Sequence, residues 1–199
     1  MKINYLSRKE QIILTTISLI HEIGINNISM KEIGKREGVT EASLYKHFKN
    51  KEDLISAVME YYERYDSFVY HTLENNDEDA IENIVRYFTI YAEYYSNYKE
   101  ITSLIHSYDV LAYDSNFTKR SSKLIEQKIS FISELVHKGQ EQKILIEEIQ
   151  PENLANILLG SFKQIISLWR RRDYMFSLKE KEEETINNIL KAFETNNRK

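Results

Sequence analysis

Seventeen residues, Gly38 to Leu54 (GVTEASLYKHFKNKEDL), leave this chain little freedom in how it folds. Gly38-Val39-Thr40 reads as a turn and Glu41 to Phe48 as a short helix. Asn50, followed by Lys51-Glu52-Asp53, reads as the capped start of another helix, with first-turn acids that suit its dipole. Immediately upstream, Ile28 to Glu37 (ISMKEIGKRE) opens with Ser29 and Glu32 at capping-box spacing and with Ile28 and Ile33 placed as a hydrophobic staple. Two short helices joined by a glycine turn outline a helix-turn-helix, a module whose second helix enters the DNA major groove.

The rest of the chain is also helical in pattern. It has one Pro and five Gly in 199 residues, too few breakers for anything but long helices. Ser7 with Glu10 and Ser177 with Glu180 repeat the capping box, and Pro151 suits a first helical position. The pattern predicts helices over Arg8–Ile23 (stopped by Gly24), Met30–Glu37, Glu41–Phe48 and Lys51 to about Leu73, with a break at Asn75-Asn76-Asp77. Helical spacing resumes through Ile81, Ile84, Val85, Phe88, Tyr91, Ala92 and Tyr95. A short helix over Lys99–Tyr108 and a loop around Tyr113–Asn116 follow. A long helix then extends to about Lys138, or to Lys143 if it tolerates Gly139. The last two helices cover Pro151 to about Arg172 and Leu178 to about Phe193. No strand, repeat or low-complexity segment stands out, and Glu182-Glu183-Glu184 reads as a solvated helix face. The expected fold is all-α, about nine helices, with a helix-turn-helix domain over 1–52 and a second helical domain over 53–199.

The helix over Glu41–Phe48 resolves into two faces. Leu44 and Phe48, four apart, point to a three-helix core. Ala42, Tyr45, Lys46 and Lys49 follow the i, i+3, i+4, i+7 pattern on another face. Ala42 and Ser43 are small enough to let the backbone approach the bases. Thr40 is a natural N-cap, placed where helix amides meet phosphates. Tyr45 can hydrogen-bond a phosphate, Lys46 can reach a base edge or phosphate, and Lys51 and Lys31 can clamp the backbone. Glu41 can accept from a cytosine amine or simply complement the helix N-terminus. Charge agrees: residues 1–51 carry +4, whereas residues 52–199 carry −8, so the positive excess lies where phosphate neutralisation needs it. An ordinary helical bundle with a basic surface would show the same charge segregation.

Arg8 to Leu54 resembles the DNA-binding domain of the TetR family of bacterial regulators. The resemblance rests on the apolar first helix ending in Gly24, Ser29, Ile33-Gly34, Gly38-Val39-Thr40, Leu44-Tyr45, His47-Phe48 and Lys51-Glu52 with Leu54, about a quarter of the chain. It implies DNA-contact roles for Thr40, Glu41, Ala42, Ser43, Tyr45, Lys46 and Lys51, with Met30 and Lys31 as additions. His47 matches a common aromatic or His position, where it packs beside Leu44 or touches a phosphate. Gly34 departs from the family's usual Ala and lowers helix propensity. Glu41-Ala42 occupy variable positions, so they do not give the operator sequence. The resemblance further implies a homodimer on double-stranded operator DNA, acting as a repressor, and a C-terminal domain that dimerises and binds a small-molecule effector of unknown identity.

The C-terminal residues can be read against that expectation. Leu154 to Trp169 is apolar nearly all round, so it needs cover on two sides, and Gly160-Ser161 permit close helix approach. Leu158, Phe162, Ile165, Ile166 and Trp169, with Ile186, Ile189, Leu190 and Phe193, are the candidate dimer interface; a fully internal helix is the bland alternative. Eleven of the fourteen tyrosines lie between Tyr61 and Tyr113. Buried Tyr needs a partner for its hydroxyl, and a Tyr- and Phe-lined pocket suits a hydrophobic or aromatic ligand. Candidate lining residues are Tyr91, Tyr95, Ile105, Tyr108, Phe131, Phe162 and Trp169, each of which equally fits a packed core. The acidic balance hints at a cationic ligand, and solvated helix faces explain it as well.

Much chemistry has no motif here. There is no Cys, hence no disulfide, thiol nucleophile or cysteine zinc site. The five histidines lack ligand spacing; His106 with Asp109 is the one pair that fits a metal, and an exposed helix face fits it too. No phosphate loop or nucleophile elbow appears. No signal peptide or membrane span is found; Ile12 to Ile20 is too short and carries Thr15, Thr16 and Ser18. The expectation is a cytoplasmic regulator that is not an enzyme and uses no cofactor, metal or membrane. A helical adaptor that engages a protein, with DNA secondary, is the competing reading; an enzyme would need a convergent acid/base or metal site.

Overall fold

The computed structural model describes residues 6–74 and 79–195. Among these residues it contains nine α-helices: α1 (Arg8–Ile23), α2 (Met30–Glu37), α3 (Glu41–Tyr45), α4 (Lys51–Glu74), α5 (Ala80–Asn97), α6 (Thr102–Leu111), α7 (Thr118–Glu141), α8 (Pro151–Arg171) and α9 (Leu178–Phe193). Short 3-10 turns at Ile25–Asn27 and Lys99–Ile101 precede α2 and α6. Extended pairing among the described residues is limited to one isolated bridge, Leu145 to Glu194. The all-α expectation holds. The break expected at Asn75-Asn76-Asp77 lies outside the described residues.

Local chemistry sets the helix ends. The Ser7 hydroxyl accepts from the Glu10 amide at 3.2 Å while the Glu10 carboxylate accepts from the Ser7 amide at 2.8 Å, a complete capping box. Ser29 and Ser177 accept from the Glu32 and Glu180 amides without the reciprocal bond appearing in their cap geometry. Gly24 ends α1 at φ 79° and Gly38 ends α2 at φ 66°, backbone conformations that glycine adopts at no steric cost. α3 stops at Tyr45, three residues short of the predicted end. The amides of His47 and Phe48 both converge on the Leu44 carbonyl, and Asn50 and Asp53 then cap α4 by bonding the Asp53 and Lys49 amides at 2.8 Å. The cap of the following helix takes the Lys49 amide, the next donor that would have carried α3 onward. α7 runs through Gly139 to Glu141. A Cβ at Gly139 would lie 2.7 Å from Leu145 Cδ1 and 3.3 Å from the Ala80 Cβ, so the missing side chain is what lets this end of α7 pack closely.

Packing divides the chain into two compact units, one running to Asp66 and including Tyr98–Ser121, the other formed by Ser67–Asn97 and the residues from Ser122 on. The division therefore falls within α4, not at the 52/53 boundary drawn from the motif. In the first unit Ile12, Ile13, Ile17 and Ile20 of α1, Ile33, Leu44, Phe48, Leu54 and Val58 are buried. Tyr108 of α6 packs its ring 5.6 Å from that of Tyr62, and its hydroxyl donates to the Met59 carbonyl at 3.4 Å. These contacts bring α6 into the first unit. In the second unit α5, α7, α8 and α9 bury Tyr87, Phe88, Tyr91, Ile132, Val136, Leu158, Ile166 and Ile186. α5 and α9 pack together, with the Lys179 ammonium 2.6 Å from Glu93.

Candidate nucleic-acid interface

The α2–turn–α3 geometry depends on two glycines. Gly38 supplies the left-handed residue that ends α2. The chain then folds back so that the Val39 amide donates to the Gly34 carbonyl at 2.9 Å. A Cβ on Gly34 would sit 2.9 Å from the Val39 carbonyl oxygen, closer than carbon and oxygen approach without strain. Gly34 lowers helix propensity, and in the structure it is also the contact that lets the turn lie on α2. Leu44 and Phe48, both buried, anchor α3 on the core, and Lys9 sits over the Phe48 ring, 5.4 Å from its centroid.

The other face of α3 is open. Thr40, Glu41, Ala42, Tyr45 and Lys46 are exposed and Ser43 is half-buried; Tyr45 leaves 49% of its surface free. The Thr40 hydroxyl accepts from the Ser43 amide at 3.3 Å, so it caps the helix that it would help to dock. Lys31 and Lys49 are exposed and Lys51 half-buried. His47 is exposed. Met30 departs from the expected contact set: its side chain is 5% exposed, because this first-turn position of α2 faces inward, and only its main chain remains for a contact.

The charges separate by role. Arg8 binds Glu37 at 2.7 Å, and the Thr15 hydroxyl donates to the same carboxylate. Arg36 grips Glu22 with two bonds; that guanidinium holds the Glu22 carboxyl below its usual range. These pairs tie α1 to α2. Among the described residues, Lys31, Lys46, Lys49 and Lys51 carry no ion pair. The cations that hold the bundle are neutralised, and those around α3 are left to solvent. α4, which presents Lys51, is held farther along by a bidentate pair the sequence reading missed: Arg120 of α7 bonds Glu63 at 2.9 and 2.6 Å. Residues far apart in sequence give no periodic signal for such a pair.

The seven expected pocket residues do not share one unit. Ile105 and Tyr108 belong to the first, where burial raises the Tyr108 phenol well above its ordinary range. In the second, Tyr91 and Tyr95 stand 5.7 Å apart by ring centroids, and Tyr95 stacks on Phe162 at 6.1 Å. Phe131 joins them through Tyr87, at 5.9 and 4.8 Å to Phe131 and Tyr91. Tyr87 and Phe88, which completes the cluster against Phe162 at 5.3 Å, lie on the helical stripe of Tyr91 and were findable by spacing. Lys128 lies 4.6 Å from the Tyr91 ring centroid. Trp169 stands apart. Its indole N–H donates to the Phe176 carbonyl at 2.9 Å and its ring meets Tyr174 edge-on at 4.7 Å, closing the α8–α9 turn.

The expected dimer set also divides. Leu158, Phe162, Ile165, Ile166, Trp169, Ile186 and Leu190 are buried within their own chain, because the widest apolar face of each helix is used internally. Ile189 and Phe193 are half-buried. With Ile157, 44% exposed, and Ala192 they line an open groove of about 430 Å³ along α8 and α9. Among the described residues no group of three His, Asp or Glu side chains is placed to hold a metal ion, and no helix is long and apolar enough to cross a membrane.

Residues 12–58 match the profile of the bacterial regulatory proteins of the tetR family. Over 53 residues, 27% of this chain, the sequence is 34% identical to the class C tetracycline repressor protein of Escherichia coli, and the match spans 24% of that protein's length. The fold extends further. The ketosteroid transcriptional regulator KstR2 of Mycobacterium tuberculosis superposes with a TM-score of 0.82 over 96% of this chain and 97% of its own, at 13% identity. FadR from Bacillus subtilis, in complex with stearoyl-CoA, does so with a TM-score of 0.77 over 91% of this chain and 97% of its own, at 15% identity. The turn geometry around Gly34 and Gly38 and the profile match across α1 to α4 agree: residues 12–58 form a helix-turn-helix domain of the bacterial tetR type, and the nine-helix fold around it is shared with the solved regulators.

Proposed function

We propose that this protein is a cytoplasmic transcriptional repressor that binds a near-palindromic operator as a homodimer and is released by a hydrophobic or aromatic small molecule. The observation that carries the DNA reading is the pairing of charges. Lys31, Lys46, Lys49 and Lys51 surround the exposed face of α3 without internal partners. Ammonium groups left unpaired beside a slender helix are what phosphate neutralisation requires. Tyr45 and Lys46 point outward from α3, Thr40 and Ser43 bring its first turn to the backbone, and Lys31 and Lys51 clamp from either side. Glu41 and Ala42 face the bases.

A second copy docks on the half-open face of α8 and α9, through Ile157, Ile189 and Phe193. Two recognition helices about 34–36 Å apart then fit successive major grooves. The effector belongs to the second domain, in the neighbourhood of Tyr91, Tyr95, Phe131 and Phe162. The aromatic lining supports a lipophilic ligand, and two proteins of the same fold are described as a ketosteroid regulator and as a stearoyl-CoA complex. Effector binding shifts α4, changes the helix separation and lowers DNA affinity, which needs only tighter ligand binding to the DNA-incompetent state.

The test is binding to duplex DNA from the region upstream of the protein's own gene, against scrambled duplex, at two salt concentrations. Tighter binding to the upstream duplex that survives the higher salt supports a site-specific regulator. Equal, strongly salt-dependent binding to both leaves only the phosphate contribution and overturns operator recognition at that site.

A further inference from the structure

Glu182 reads from sequence as part of a solvated acidic run. It has no exposed surface, and neither of its carboxyl oxygens has a hydrogen-bond partner. It shares the inward stripe of α9 with Leu178, Ile186 and Leu190. Residues four apart lie on one face, so no rotation of α9 hydrates the carboxyl without exposing leucine and isoleucine. The helices packed on α9 are α5 and α8. α8 turns apolar side chains inward, Leu158, Phe162 and Ile166 among them. α5 contributes Tyr87, Tyr91 and Tyr95 on its buried face, and Glu93, which is held by Lys179. On α9 itself Glu183 repels a charge at Glu182 and Lys179 attracts it. Burial first, then Glu183, pushes the Glu182 pKa up to about 8.

We propose that Glu182 makes the seating of α9 depend on a bound proton: the helix packs while this carboxyl is neutral and loosens when it ionises. A neutral acid in this position leaves one O–H unpaired. A carboxylate leaves a whole charge without a donor, which is far more costly. The sign follows from which state holds the proton. The unfolded chain releases it in the ordinary carboxylate range, the folded chain only near pH 8. The stability contributed by this group is complete below the ordinary range and is lost as pH rises through that window, by about tenfold in the unfolding constant per pH unit. Because Ile189 and Phe193 of α9 line the face assigned to the second copy, loosening α9 also weakens the dimer. That consequence rests on the proposed dimer face; the proton dependence does not.

The experiment is urea unfolding of the full chain and of Glu182→Gln and Glu182→Met between about pH 5.5 and 9, with sedimentation velocity on the same samples. Relative to the Gln variant, the unfolding constant of the native chain is expected to rise about tenfold per pH unit and to level off above pH 8. The Met variant serves as the reference if the Gln variant does not fold. Parallel pH profiles for the native chain and the variants overturn the proposal. Dissociation at alkaline pH in the native chain alone supports both the proton dependence and the dimer face. A dimer that persists while the referenced stability still falls supports the proton dependence and faults the dimer face.

Discussion

The α3 face and the aromatic interior of the second unit are built from the same periodicity to opposite ends. On α3, Leu44 is buried while Tyr45 and Lys46, its next neighbours, are exposed. An exposed lysine is the default for that side chain, so the informative residue is Tyr45, which leaves about half of an aromatic side chain in solvent beside a buried anchor. In the interior, Tyr91, Tyr95 and Phe162 meet ring to ring. A residue that lines a ligand pocket and one that fills a core share hydrophobicity, spacing and burial. Helical patterning separates inside from outside; it does not separate two kinds of inside.

Truncation in the interior gives the largest expected effect and tests that distinction directly. Phe162→Ala removes a ring in contact with Phe88 and Tyr95. If Phe162 is core, the loss is about 3–5 kcal/mol in urea unfolding. A loss under about 1 kcal/mol, with effector release abolished, would move Phe162 to the wall of a pocket and break the comparison.

Tyr45→Ala probes the other side. The side chain is half free and belongs to no ring contact among the described residues, so stability should change by no more than about 0.5 kcal/mol. DNA affinity should fall about tenfold, read by duplex titration of a variant that sediments like the native protein. Unchanged affinity would mean that α3 is docked on another face. Lys46→Ala is a milder companion: it should lower affinity for specific and scrambled duplex alike and reduce the slope of log affinity against log salt by about 1.

The legible parts of the chain are those with local causes. α1, α2 and α9 end where Gly24, Gly38, Ser7, Ser29 and Ser177 place them. α3 ended early because the Asn50–Asp53 cap competes with it, a contest between neighbouring signals that propensity does not rank. The 3-10 turn at Ile25–Asn27 has no marker beyond Gly24. What stayed hidden involves partners distant in sequence. Met30 looks like a DNA contact until the core beneath α2 is seen, and Glu63 with Arg120 looks like two surface charges. Glu182 is the sharpest case. Glu182-Glu183-Glu184 has the composition of a solvated face, yet the helix phase set by Leu178 and Ile186 turns the first of the three inward. Helix phase marks the inward turn of Glu182; composition alone does not.

Gly34→Ala carries a small expected change in stability and the finest test of how α3 is placed. Alanine raises helix propensity inside α2 by about 0.8–1 kcal/mol. Its Cβ meets the Val39 carbonyl at 2.9 Å, and that oxygen belongs to backbone held by the Val39 amide bond to Gly34, not to a side chain free to swing aside. The turn has to lift by a few tenths of an ångström. The strain offsets most of the propensity gain, so net stability should move by less than about 1 kcal/mol. The displacement is passed on to Thr40 and the first turn of α3, where a contact to a phosphate or base edge tolerates little error. DNA affinity should therefore fall several-fold in a variant whose unfolding midpoint barely changes. An alanine variant that binds duplex as well as the native chain would show that the turn can yield without moving α3. The open face would then owe its position to Leu44 and Phe48 alone.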